Sequence, residues 1–241
     1  MSLLRDEAVV LRTYRLGESD RIVVLLSKQH GTLRAVAKGV RKTKSKFGSR
    51  LEPLSHVTAI IWEGRSDLGV VNQVEVIDGF RTVREDLDRI TQAMTILEVA
   101  DQLSQERHAD PRLYQMVVGA LTSLNDPGTT PVLVAPAFLF KALVAEGAGP
   151  IVNECASCSS DGPLVAFDLS EGGMLCSSCR RGRPVSPEAL VVLQQILGGG
   201  LRSVLSSPAP EGSAEVVQLA TEAIEHHLDR RLRSVRSSVG L

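Results

Sequence analysis

The chain has 241 residues, with 27 Lys+Arg against 28 Asp+Glu, 43% hydrophobic residues and only 3% aromatics. That length admits one or two domains plus a small insert, and the composition excludes a wholly disordered chain. No apolar run is long enough to cross a bilayer, and Asp6 and Glu7 stand where a signal peptide would need its apolar stretch, so no membrane association and a cytoplasmic setting are expected.

The first eighty residues read as strands. Residues 8–11 (AVVL) form a short apolar run, and 16–20 (LGESD) have turn composition. Residues 21–26 (RIVVLL) are β-branched-rich and are interrupted at His30-Gly31. Residues 33–38 mix small apolar and basic side chains and close at Gly39. Residues 57–62 (VTAIIW) and 70–77 (VVNQVEVI) complete the set, with a turn over 63–67. Five short strands separated by turn signals favour a small closed or half-closed barrel, with an open meander as the alternative. The core must be built from Val, Leu, Ala and Ile.

After Phe80 the period changes. Leu87, Ile90, Met94 and Leu97 have helical spacing and are expected to form one buried face. Asp110-Pro111 opens a second helix through Leu124, closed at Asn125-Asp126-Pro127-Gly128. A third, more apolar helix is expected over 131–146, kinked or started at Pro136. Ser186-Pro187-Glu188 begins another over 189–197, and three glycines at 198–200 stop it. A Pro/Gly/Ser loop covers 206–213, and a last amphipathic helix is expected over 214–233. The expected fold class is α+β, with a β-barrel domain over 1–80 and a helical domain over 81–241 that carries an insert at about 151–183.

The charge is unevenly placed. Nine of the 27 bases lie in residues 21–51, where there is no acid, and the remaining 18 face all 28 acids. The nine are Arg21, Lys28, Arg34, Lys38, Arg41, Lys42, Lys44, Lys46 and Arg50. A cationic segment on an otherwise acidic body suits a polyanion that neutralises it. The densest stretch, 38–50, is bracketed by Gly39 and Gly48 and is expected to be a mobile loop following phosphates without reading bases. Phe47 is its lone aromatic: it either stacks on a base or folds back onto the core.

All four cysteines lie between 155 and 179, as Cys155-x2-Cys158 and Cys176-x2-Cys179. Two tight CxxC turns aimed at one centre give a closed tetrahedral zinc site, structural rather than catalytic. A redox CxxC pair and an iron–sulfur cluster are the competing readings, the first disfavoured by the lack of a βαβ context. Residues 163–168 and 173–175 between the pairs read as a hairpin, hence a zinc ribbon. Arg180, Arg181 and Arg183 follow the last ligand, either as a second phosphate contact or as a solvated tail that softens an anionic site.

Catalytic motifs are missing. There is no G-x-x-x-x-G-K-[ST] and no H-E-x-x-H. His226 and His227 are adjacent and do not share a helix face. Arg230, Arg231, Arg233 and Arg236 suit the C-terminal end of the last helix, with a further phosphate contact as the other reading. A binding protein rather than an enzyme is expected. RNA binding by a zinc-ribbon protein of transcription or translation, and a scaffold whose loop docks an acidic protein, are the alternatives to DNA.

The chain also resembles a known family over essentially its whole length, most specifically in its N-terminal part. Glu7-Ala8-Val9-Val10-Leu11-Arg12, Gly17-Glu18-Ser19-Asp20-Arg21, Gly31-Thr32-Leu33, Ala37-Lys38-Gly39-Val40-Arg41-Lys42, Lys44-Ser45 and Leu51-Glu52-Pro53 resemble the signature of the bacterial RecO recombination mediators. The helical region matches them mainly in length and order. The resemblance implies an OB-fold that binds single- and double-stranded DNA and anneals complementary strands. It implies a helical domain that contacts the acidic tail of single-strand-binding protein. It also implies action with RecR in loading RecA onto coated DNA, at the nucleoid, in the RecF pathway.

Overall fold

The computed structural model describes residues 2–64, 68–206 and 208–235. Residues 65–67 of the expected 63–67 turn, Ser207 and Arg236 lie outside the described residues. Packing divides the chain into two units, Met1–Asn125 and Asp126–Leu241.

In the first unit, strands β1 (Ser2–Leu16), β2 (Asp20–Ser27), β3 (Gly31–Ala37), β4 (His56–Glu63) and β5 (Gly69–Asp78) close into a barrel in the order β1-β2-β3-β5-β4. Closure comes from antiparallel pairing of β1 with β4, from Ser2 opposite Glu63 to Val9 opposite His56. The β3–β5 junction is parallel and short, Ala35 with Gly69 and Val36 with Val70. This is the OB-like order, and it selects the closed form over an open meander. Alternation with period two sends Leu4, Ala8 and Val10, then Val23 and Leu25, Leu33, Ala35 and Ala37, Val57, Ala59 and Ile61, and Val71 and Val74 into one core. β1 is far longer than its apolar run, because its outward positions are polar and interrupt the run without interrupting the strand.

Three helices complete this unit: α1 (Arg81–Arg84), α2 (Leu87–Leu103) and α3 (Pro111–Asn125). They pack with the barrel. Arg12 pairs with Asp101 at 3.1 Å, and the buried His56 Nε2 meets the Tyr114 hydroxyl at 2.7 Å. The onset of helix at 81 is therefore a change of secondary structure, while the packing boundary follows Asn125. Gly31 takes a left-handed φ of 67° where a Cβ would stand 2.1 Å from the His108 carbonyl, so the segment after α2 can lie against the β2–β3 turn only over a glycine.

The expected face of α2 is corrected. Leu87 is 80% exposed and Met94 38%, while Arg89, Ala93, Ile96, Leu97 and Ala100 are buried. Arg89 turns inward because its guanidinium donates to the Leu124 carbonyl at the end of α3 and pairs with Asp86 at 3.8 Å. A cation there satisfies a carbonyl that the helix leaves without a partner. Asp86 also caps α2 by accepting from the Arg89 N–H.

The second unit holds α4 (Val134–Ala145), a small three-stranded sheet of β6 (Leu164–Asp168), β7 (Gly173–Cys176) and β8 (Arg183–Pro184), then α5 (Pro187–Leu197), α6 (Leu201–Leu205) and α7 (Ser213–His227). Pro136 does not start α4, which begins at Val134 after a 3-10 turn over Pro131–Leu133. In the first turn its missing N–H removes no hydrogen bond. Ser186 caps α5 as the sequence suggested. α7 stops at His227, short of 233, because Asp229 takes a φ of 48° and turns the chain back. Glu225 then receives the Leu232 N–H at 2.7 Å and the Arg231 guanidinium at 2.9 Å. Arg230, Arg231 and Arg233 thus lie past the helix rather than in its last turn.

Candidate metal centre and nucleic-acid interface

The sheet of the second unit presents the four cysteines. Cys155 and Cys158 precede β6, and Cys176 ends β7 with Cys179 in the turn beyond. Each pair is folded by a tight backbone turn, Ser159 N–H to Cys155 carbonyl at 2.8 Å and Cys179 N–H to Cys176 carbonyl at 3.2 Å. The first turn is tied to the hairpin by the Ala156 N–H on the Met174 carbonyl at 2.8 Å. The four Sγ atoms lie within 4.8 Å of one another, and Cys158 and Cys176 are 3.8 Å apart. A tetrahedral site with metal–sulfur bonds of about 2.3 Å has sulfur–sulfur edges of roughly 3.8 Å. All four are free thiols.

Their electrostatics fit the same occupant. Backbone N–H groups, that of Cys176 foremost, pull the Cys155 thiol down to about 6. Contact with Cys158 and Cys176 pushes the Cys179 thiol up to about 12, and Cys158 is raised as well. One thiolate is welcome here and several are not, unless a cation joins them. The four residues are placed to hold one metal ion. Leu175 is fully buried beside Cys155 and Cys176, with Leu164 and Ala156 against them, which is a very small core.

After Gly39 the basic segment packs on the barrel. Turns lead to a 3-10 helix over Gly48–Leu51, and Phe47 and Leu51 enter the barrel core. Phe47 is 2% exposed, so the base-stacking role is corrected to a packing one. The physical reason is the short β3–β5 junction, which leaves the β5 edge beyond Val70 to be covered. The loop covers it, with the Lys46 ammonium on the Asn72 carbonyl at 2.8 Å and 4.9 Å above the Phe47 ring.

The nine bases sort into two groups. Arg21 pairs with Glu52 at 2.7 Å, Lys28 with Glu7 at 2.8 Å and Arg34 with Glu106 at 3.6 Å. Acids from outside the segment therefore neutralise three of them, which the sequence window concealed. Lys38, Arg41, Lys42, Lys44, Lys46 and Arg50 are exposed and form no ion pair among the described residues. Arg41 donates to the Glu18 carbonyl at 2.9 Å and Arg50 to the Lys46 carbonyl at 3.4 Å, contacts that leave their charges uncompensated. Asp20 anchors the loop base by accepting the Gly39 N–H at 2.7 Å. That bond, with Ser19 and then Lys38 and Lys42, holds its carboxyl below the usual range.

The arginines after the last cysteine behave differently. Arg181 is engaged by Glu171 and Asp168, and Arg183 by Glu222 and Gln218. These partners account for two of the three, and Arg180 alone remains an exposed cation without an ion pair among the described residues.

Two arrangements escaped sequence reasoning. Asp6, Ser27 and His30 converge, but the fully buried Ser27 hydroxyl and His30 Nδ1 (3.0 Å) both address Asp6, so no relay runs from serine through histidine. Burial works to raise the Asp6 carboxyl, and hydrogen bonds from Ser27, Gln29, His30 and Glu7 together bring it below its ordinary value. The triplet locks the β2–β3 turn onto β1. The second is Trp62, 45% exposed on β4, which strand alternation with Ile60 and Thr58 would have sent outward.

No helix among the described residues is long and apolar enough to cross a membrane. A family model described as Recombination protein O N terminal matches residues 1–80, and one described as Recombination protein O C terminal matches residues 84–236. Matched over nearly its whole length, with an OB-like barrel in the first part and a four-cysteine cluster in the second, the chain belongs to the RecO family of DNA recombination and repair mediators.

Proposed function

We propose that this protein binds single- and double-stranded DNA through the loop between β3 and β4 and anneals complementary strands. The observation that carries the reading is the set of six exposed cations, Lys38, Arg41, Lys42, Lys44, Lys46 and Arg50, that form no ion pair among the described residues, mounted on an OB-like barrel. Annealing requires two phosphate backbones to approach each other. Base pairing and stacking supply the driving force, roughly 1.4 kcal/mol per step, so the protein has only to reduce the repulsion. Lysines on a turn-rich loop can follow either backbone without reading sequence. The protein makes and breaks no bond, and ATP plays no part.

In this reading the metal is one zinc ion, held by Cys155, Cys158, Cys176 and Cys179. It supplies folding free energy to a ribbon whose apolar core is too small to stand alone, and no catalysis. Family membership supports a place with RecR in loading RecA onto DNA coated by single-strand-binding protein, whose acidic tail the helical part contacts, in the cytoplasm at the nucleoid. The test is strand annealing by purified protein without nucleotide. Annealing of bare and coated strands supports the reading, and DNA binding without annealing contradicts it. Preference for structured RNA would move the protein to the RNA-binding class.

A further inference from the structure

The only tryptophan of the chain is not in a core. Trp62 is 45% exposed near the end of β4, where a buried indole would be the ordinary use of so large a side chain. It lies directly opposite Leu3 on β1, itself 52% exposed, and opposite Val70 on β5. Arg5, two residues along β1 and exposed, shares that outer face.

Charge says what covers this patch. A groove of about 410 Å³ beside it is lined by Ser2, Leu3, Arg5, His30, Glu63 and Arg107 among others. Its acid, Glu63, is already engaged by Arg107 at 3.0 Å and by the Ser2 hydroxyl at 2.9 Å. Arg5 forms no ion pair among the described residues. On the other side, Lys46 sits on the carbonyl of Asn72, two residues along β5 from the partner of Trp62. By strand geometry the α-carbons of Trp62 and Asn72 are then about 8 Å apart. An apolar aromatic face flanked by cations suits a nucleotide, with its base on the ring and its phosphates on Arg5 and Lys46. It does not suit a basic peptide, which the cations would repel.

We infer that Trp62 is the stacking platform for an unpaired base of single-stranded DNA, with Arg5 and Lys46 holding the phosphates on either side. This rests on the reading of the barrel as a DNA-binding unit and deepens it. The loop cations treat one strand and a duplex alike, whereas a stacking platform favours the unpaired strand. A single platform also leaves the neighbouring bases open for pairing, as annealing requires.

The chain carries its own reporter, since all tryptophan emission comes from Trp62. The protein is titrated with an oligo(dT), with an abasic oligomer of equal length and with a duplex, while binding is followed separately by anisotropy of labelled DNA. Emission quenched by oligo(dT), but little by the abasic oligomer or the duplex, is the expected result. Trp62→Ala should weaken oligo(dT) binding about ten-fold to a hundred-fold, Trp62→Phe should restore most of it, and the melting temperature should hold in both. Saturated binding with unmoved emission, equal quenching by the abasic oligomer, or unchanged affinity in Trp62→Ala overturns the inference and leaves DNA binding by the loop intact. No binding to any DNA removes the proposed function itself and the inference with it.

Discussion

Replacing Lys38, Lys42 and Lys44 together with Gln tests the division of the basic segment into neutralised and available charges. These three are exposed and hold no structural hydrogen bond through their ammonium groups among the described contacts, unlike Lys46, which covers the β5 edge. If all six available cations meet phosphates of a single strand, the log–log salt slope of the wild type is about −4, on the rule of roughly −0.7 per contact. Losing three contacts brings it to about −2. Between 50 and 200 mM salt the wild type then loses affinity roughly 300-fold and the variant roughly 20-fold. Fluorescence anisotropy with a labelled oligo(dT) over that range reads the slope directly. Arg21→Gln and Lys28→Gln are the controls: their charges are already paired with Glu52 and Glu7, so the slope should barely move. An unchanged slope in the triple variant, or an equal change in the controls, would refute the reasoning. The melting temperature should be the same throughout, since exposed substitutions of this kind rarely exceed about 0.5 kcal/mol.

Elemental analysis should find one zinc per chain, and chelation or Cys176→Ser should unfold the ribbon and promote aggregation; iron with visible absorbance would contradict this. Arg183→Gln should leave the salt slope alone and lower stability, because Arg183 is engaged by Glu222 and Gln218. Tyr114→Phe should cost about 1–3 kcal/mol in urea unfolding by stranding the buried His56 Nε2. Burial holds the His56 imidazole below its ordinary 6.5, so the folded state binds fewer protons there than the unfolded chain. Its contribution is whole above pH 6.5 and declines as pH falls below that value, and stability unchanged between pH 7.5 and pH 5 would speak against it.

Much of this was legible in the sequence where one local rule decides. The CxxC pairs, the Ser186 cap and the β-branched runs of β2, β4 and β5 depend on near neighbours, and they fold as those neighbours suggest. What was not legible depends on partners distant in the chain. Arg21, Arg34 and Lys28 look unbalanced in a window of residues 21–51, yet Glu52, Glu106 and Glu7 reach them from outside it. Arg89 counts as a surface residue until the end of α3 is known to need a donor. Phe47 could have stacked or packed, and the choice was made by the open edge of β5, which only the barrel topology reveals. Trp62 inverts the usual expectation for its residue type, and alternation along β4 was the one signal available.

The central claim is that the protein brings complementary strands together by neutralising phosphate, without an energy source. Annealing of two complementary oligonucleotides by the purified protein, with and without ATP and across a salt series, measures this most directly. The account predicts annealing that is indifferent to ATP, falls steeply with salt, and is lost in the Lys38, Lys42 and Lys44 variant while the fold melts as before. A protein that binds both strands yet anneals neither bare nor coated DNA, or one whose annealing survives the loss of these lysines, would contradict it.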